Sequence, residues 1–190
     1  KRALDVVVAV LALIILSPVL LIAALAIKCT SQGPVLFKQS RTGQFGIPFT
    51  IYKFRSMKVH SDAAAKQATK DDDRVTAVGR ILRKTSIDEL PQLLNVLQGH
   101  MSIVGPRPHA VAHDSYYGGM IPTYEHRFAA KPGLTGLAQV NNLRGETETV
   151  DMMAARIALD LKYIRRWSIW RDITIIIQTP FVLLNTSRAY

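Results

Sequence analysis

Hydrophobic positions along the chain fall into three regimes: one unbroken apolar run near the start, two alternating runs after it, and helically spaced apolar residues over much of the rest. Residues 6–27 carry no charge, and as a straight helix they would reach about 33 Å, against a bilayer hydrocarbon core of about 30 Å. Ser17-Pro18 stands at the centre of this run. Proline removes the donor to the carbonyl of Ile14 and its ring crowds the preceding turn, so a kink or break is expected there. Lys1 and Arg2 precede the run and Lys28 follows it, which by the positive-inside tendency puts both ends on the cytoplasmic side. That is the pattern of a helix that enters a membrane, bends and returns. A plain span and a cleaved secretory signal ending near Ala24-Leu25-Ala26 are the alternatives, the apolar core being long for a signal.

The alternating runs are VLFKQSR and FTIYKFRSM, separated by TGQFGIP, and together they read as a β-hairpin. Alternation puts Phe49, Ile51, Lys53 and Arg55 on one face of the second run, so two cations are aimed the same way. Residues 59–73 are polar and Ala-rich and read as a mobile, exposed segment. Helical spacing returns in TSIDELPQLLNVL, where Leu90, Leu93, Leu94 and Leu97 follow two adjacent carboxylates, Asp88 and Glu89, and the preceding VGRILRKTS brings Arg80, Arg83 and Lys84 within a few residues of these acids. Ser86 with Glu89 three residues on matches a capping box, and acids at a helix start complement its dipole. Capping alone would account for both acids.

In VGPRPH, Arg107 lies between two prolines and is held on a stiff, extended loop. KPGLTGLAQVNNLRGE carries Gly133, Gly136 and Gly145 at turn positions and ends in Arg144 and Glu146. His109 and His113 have the spacing of a zinc pair without the accompanying ligands, and read as solvent-facing or loop-packing residues. VDMMAARIALDLKYIRRWSIW is helix-forming, with Met153, Ile157 and Leu161 on a core stripe and Asp160 near it. Trp167 and Trp170 then open an apolar run, too short to span and broken at Pro180, that fits a membrane interface or a buried helix.

Charge narrows the partners. Lys and Arg number 24 against 14 Asp and Glu, a formal +10, which calls for an anionic partner. Zinc-finger spacing and an RNA-binding aromatic consensus are both missing, which argues against nucleic acid. The single cysteine, Cys29, excludes an internal disulfide and reads as a small apolar filler. A length of 190 residues suits one folded domain plus an appendage, and a start at Lys1 without methionine reads as an excerpt of a longer protein. The organisation expected is a membrane helix over residues 1–30 and a catalytic body over 31–190 that fold as one unit. The fold class is α+β, mainly helical, with a re-entrant membrane helix, a small β-hairpin and amphipathic interfacial helices.

Several motifs together carry a resemblance. KRALDVVVAVLALIILSPVLL, GPVLFKQSRTG, FTIYKFRSM, VGRILRKTSIDELPQLLNVL, MSIVGPRP, KPGLTGLAQV and RGET occur in the order seen in the bacterial sugar transferase family, the monotopic phosphoglycosyl transferases. The resemblance implies transfer of a sugar-1-phosphate from a UDP-sugar to undecaprenyl phosphate at the cytoplasmic face of the bacterial inner membrane, with release of UMP. It priming-positions the chain in exopolysaccharide, capsule or O-antigen assembly, with glucose or galactose as the favoured sugars. It also implies a membrane helix bent at Ser17-Pro18, Asp88 and Glu89 as the catalytic pair, Mg²⁺ as cofactor, and Lys53, Arg83, Arg107 and Arg144 as donor-phosphate residues. Arg55 joins them through its place on the Lys53 face. The family usually has a proline after the acid in Asp72-Asp73-Arg74, and usually an acid where His100 stands.

The chemistry wants these residue types. Phosphoryl transfer is catalysed by positioning and charge neutralisation, and guanidinium groups pair phosphate oxygens two at a time. Mg²⁺ takes hard oxygen ligands and needs few protein groups, which suits Glu89 as its ligand. Asp88 is then the nucleophile, as carboxylates are in aspartyl-phosphate ATPases. Two rival readings remain: a non-catalytic basic module that binds anionic membrane lipid, and direct transfer with Asp88 as general base.

Overall fold

The computed structural model describes residues 1–58, 72–145, 147 and 149–184. The segment read as mobile and exposed lies outside the described residues except for its last two, as does Glu146. The apolar run forms one helix, α1 (Arg2–Thr30), that continues through Pro18. Of the kink or break expected there, a break is excluded, because the helix is not interrupted. Ser17 Oγ donates to the Ile14 carbonyl at 2.8 Å, replacing the N–H that Pro18 lacks, so the backbone stays satisfied across the proline.

Both ends of α1 are fastened to the remainder of the chain. Lys1 Nζ donates to Asp172 at 2.7 Å, and to the Tyr163 hydroxyl and the Val104 carbonyl at 3.0 Å. Buried Asp5 accepts from Ser102 Oγ at 2.8 Å and from the Ile103 N–H at 3.0 Å. Ala23 and Ile27, near the other end, pack with Phe54 and Leu82. Between these anchors Ile14, Ile15, Leu21 and Ile22 are exposed.

The hairpin forms as the alternation predicts. Strands β1 (Leu36–Thr42) and β2 (Pro48–Phe54) pair antiparallel from Leu36↔Phe54 to Thr42↔Pro48. A 3₁₀ turn at Gln44–Gly46 joins them, with Phe45 at φ 57° and Gly46 at φ 78°. Helices α2 (Ala77–Thr85) and α3 (Gln92–Gln98) follow. The Asn95 side chain accepts from the Tyr52 N–H at 3.0 Å and donates to the Thr50 carbonyl at 2.7 Å, so α3 completes the outer edge of β2.

A second sheet has no counterpart in the sequence reading. Strand β3 (Ser102–Val104) runs parallel to β4 (Gly133–Thr135), on either side of α4 (Val111–Gly118) and a 3₁₀ stretch at Tyr124–Ala129. Gly133 and Gly136, read as turn residues, instead permit close backbone approach: a Cβ on Gly133 would sit 2.1 Å from the Gly105 nitrogen, and one on Gly136 2.2 Å from the Gly105 oxygen. The short α5 (Leu137–Val140) leads to α6 (Val150–Arg165), whose Met153, Ile157 and Leu161 pack on Tyr117, Ile121 and Tyr124. The predicted stripe is core.

Helix α7 (Ile169–Leu184) is continuous through Pro180, so the predicted break is absent here too. Ile175 enters the main core beside Phe49, Ile51, Leu93 and Val104, whereas Trp170, Ile177 and Phe181 remain exposed. The outward face of α7 is therefore apolar and aromatic.

Candidate active site

The backbone between α2 and α3 turns sharply at Ser86, which sits in the left-handed region at φ 60°. A single 3₁₀ turn, Ile87–Glu89, follows, and α3 begins only after Pro91. The capping box read from the sequence is not made. Ser86 Oγ accepts instead from Arg144 Nη2, and no side chain caps the 3₁₀ turn. The two acids consequently face different surroundings.

Glu89 is buried and is gripped by cations. Arg107 forms a two-pronged pair with it, Nη1 to Oε2 at 2.9 Å and Nη2 to Oε1 at 2.5 Å, and Lys53 Nζ donates to Oε1 at 2.8 Å. Burial pushes the Glu89 carboxyl up, but Arg107 and then Lys53 outweigh it and hold the group well below the usual carboxylate range. Lys53 is itself drawn down by burial, with Glu89 opposing and Arg107 adding to the shift.

Asp88 makes no side-chain hydrogen bond among the described residues and lines the cleft. Burial, and next the neighbouring Glu89 charge, push its pKa up to about 6, against the pull of Lys53, Arg83 and Arg107. An open carboxylate beside a carboxylate locked in ion pairs is the division of roles that a nucleophile and its supporting partner require.

The cleft measures about 690 Å³ and is lined by Lys53, Arg83, Asp88, Glu89, Arg107 and Arg144, so the structure gathers these sequence-selected residues into one place. Arg55 also borders it, but its guanidinium Nη2 donates to the Ser31 carbonyl and hydroxyl at 2.8 Å and ties down the chain leaving α1. Ser17 and Pro18 lie on exposed α1 positions and are not among the residues lining the cleft.

Sequence reasoning missed the support beneath Arg107. Arg127, buried, donates from Nη2 to the Arg107 carbonyl at 2.5 Å and to Asp160 at 2.9 Å, and its Nη1 lies 2.7 Å from His109 Nδ1. Tyr124 completes the cluster, donating to Asp114 at 2.7 Å. Asp160 beside an apolar stripe was the available signal, since a buried acid needs a cation, but its partner lies 33 positions away. His109, expected to be a packing or solvent-facing residue, is buried in this network, while His113 stacks edge-on against Tyr117.

The residues can be tested against Mg²⁺. No cluster of three metal-ligating side chains exists among the described residues, so a preformed cage is absent. Mg²⁺ needs only one or two carboxylates plus substrate phosphates, and the adjacent Asp88 and Glu89 are such a donor set. Both Glu89 oxygens are held by Arg107 and Lys53, so these cations must yield to phosphate for the ion to enter.

A family model described as bacterial sugar transferase matches residues 1–186. Over its whole length the chain is 59% identical to a UDP-glucose:undecaprenyl-phosphate glucose-1-phosphate transferase of Caulobacter vibrioides, covering 72% of that protein. A protein of the same name from Escherichia coli is 54% identical, and the chain spans only 41% of its length. An exopolysaccharide production protein, PSS, of Rhizobium leguminosarum is 49% identical and matched over 98% of its length.

Proposed function

This chain belongs to the bacterial sugar transferase family, and from that premise we propose that it transfers a sugar-1-phosphate, glucose-1-phosphate first among candidates, from a UDP-sugar to undecaprenyl phosphate. The observation that carries the reading is Asp88, without a side-chain hydrogen bond among the described residues, in a cleft lined by Lys53, Arg83, Arg107 and Arg144. An Asp88 oxygen attacks the phosphorus that bears the sugar. The bond to the bridging oxygen breaks and UMP leaves with the electron pair. The resulting aspartyl-phosphosugar is then attacked at phosphorus by an oxygen of undecaprenyl phosphate, which releases the Asp88 carboxylate and forms the lipid diphosphosugar. Arg83, Arg107 and Arg144 neutralise the phosphates, and Lys53 moves with them. Glu89 would hold Mg²⁺, which when bound would supply neutralising charge at the diphosphate.

The apolar helix supplies the location. Both of its ends are fastened to the same body while its middle is exposed and apolar, which supports a helix that enters the bilayer and returns, with the cleft at the cytoplasmic surface of the inner membrane. The exposed Trp170 and Phe181 face of α7 suits the headgroup layer. Membrane helix and body act as one unit, so that a soluble donor and a lipid acceptor reach one aspartate in turn. The step primes exopolysaccharide, capsule or O-antigen synthesis. Incubating the protein with a panel of UDP-sugars, Mg²⁺ and undecaprenyl phosphate tests this: UMP release with UDP-glucose supports the proposal, and absence of release with every donor rejects it.

A further inference from the structure

His109 lines the same cleft as Asp88, yet the phosphoryl chemistry above gives it no role. Its ring is buried, and its Nδ1 edge is turned to the interior, 2.7 Å from both Arg127 Nη1 and the Tyr124 hydroxyl. A guanidinium can only donate, which assigns Nδ1 as the acceptor of Arg127 and the ring proton to Nε2, with the Tyr124 hydroxyl donating to Asp114. Among the described residues that Nε2–H has no partner, an unsatisfied buried donor of the kind that folded proteins avoid. Burial first, then Arg127, Arg156, Arg107 and Arg41, drive its pKa well below the usual histidine range, so the ring stays neutral.

The ring stands in a cationic setting. Arg41 and Arg156 border the cleft with it, Arg41 reaching the Pro108 carbonyl at 3.5 Å and Arg156 the Gly145 carbonyl at 3.0 Å. An unpaired donor among guanidiniums fits an anionic oxygen better than a base or sugar edge. Only Pro108 lies between Arg107 and His109, so their Cα atoms are at most about 7 Å apart and the ring stands next to the arginine that holds Glu89.

We propose that His109 binds the departing nucleotide: its Nε2–H donates a hydrogen bond to a phosphate oxygen of the nucleoside monophosphate half of the donor, in a subsite bordered by Arg41 and Arg156. The inference rests on the donor reading given above. A phosphate monoester has a second pKa of about 6, so the leaving group departs without needing a proton, and a neutral donor suits it better than a general acid.

The test uses the whole chain in lipid nanodiscs with ¹⁵N-labelled histidine, His109 being assigned by its loss in His109→Gln. The expected result is an Nε2-protonated ring whose signal shifts on addition of UMP and not of uridine. His109→Gln, whose amide N–H can replace Nε2–H, is expected to retain UMP affinity within about threefold, and His109→Phe to lose about tenfold or more. An Nδ1-protonated ring, a signal unmoved by saturating UMP, or unchanged UMP affinity in His109→Phe overturns the inference. Wild-type release of UMP from UDP-glucose is measured alongside. Its failure rejects the donor reading itself, whereas an unmoved His109 with that release intact rejects only the subsite.

Discussion

At the residue scale the account turns on how cations are shared between carboxylates and phosphates. The dyad and most of its cations were legible because Asp88-Glu89, Lys53, Arg83, Arg107 and Arg144 each stand in a recognisable motif. The grip of Arg107 on Glu89 was not, because a bidentate pair across 18 positions depends on where a proline-stiffened loop passes. Arg107→Lys keeps the charge but loses the planar fork, and turnover is expected to fall at least about tenfold with little change in melting temperature. Full activity in that variant would reduce Arg107 to a loop support. His109 offers an independent check on the buried network. Its folded pKa lies below the unfolded value near 6.5, so the unfolded chain binds the extra proton and stability drops as pH falls through 6.5 toward 5. Asp88, whose folded pKa is raised to about 6, contributes in the opposite sense over part of this range. The quantity to measure is therefore the difference in chemical-denaturation stability between wild type and His109→Phe, expected to shrink as pH falls, by up to about 1.4 kcal/mol per pH unit.

Among elements, periodicity located α1, the hairpin, α3 and α6, and it failed where long-range partners decide. The parallel pair β3–β4 is three residues per strand, too short for alternation to register, and its glycines were indistinguishable from turn glycines. Both prolines were read as breaks. At Pro18 the helix continues because the freed carbonyl finds Ser17, a local rescue that sequence allows but does not require. Asp160 marks the element whose loss should matter most to the site. Asp160→Ala leaves buried Arg127 with only the more distant Asp114 carboxylate, 3.7 Å away, and is expected to cost about 3 kcal/mol, and to loosen the Arg107 loop that Arg127 holds. Unchanged stability by calorimetry would show that this pair does not support the loop.

For the whole molecule, the apolar helix and the cationic cleft make sense together only if the body sits against a membrane. Cysteines introduced beside Lys1 and Lys28 are expected to react from the same, cytoplasmic side in oriented vesicles; labelling from opposite sides would establish a plain span. The sequence showed a run long and apolar enough to cross a membrane, but that both helix ends dock on one body through Lys1–Asp172 and Ile27–Leu82 could only be seen once folded. The central claim is that Asp88 carries the phosphosugar between the two substrates. Its most direct test is the protein mixed with UDP-glucose and Mg²⁺ in the absence of lipid acceptor, followed by UMP quantitation and intact-mass analysis. The account predicts a burst approaching about one UMP per enzyme, an adduct of one phosphosugar mapped to the Asp88 peptide, and loss of both in Asp88→Asn. Turnover that needs both substrates together, with no burst and no adduct, would contradict it and make Asp88 a base in a ternary complex.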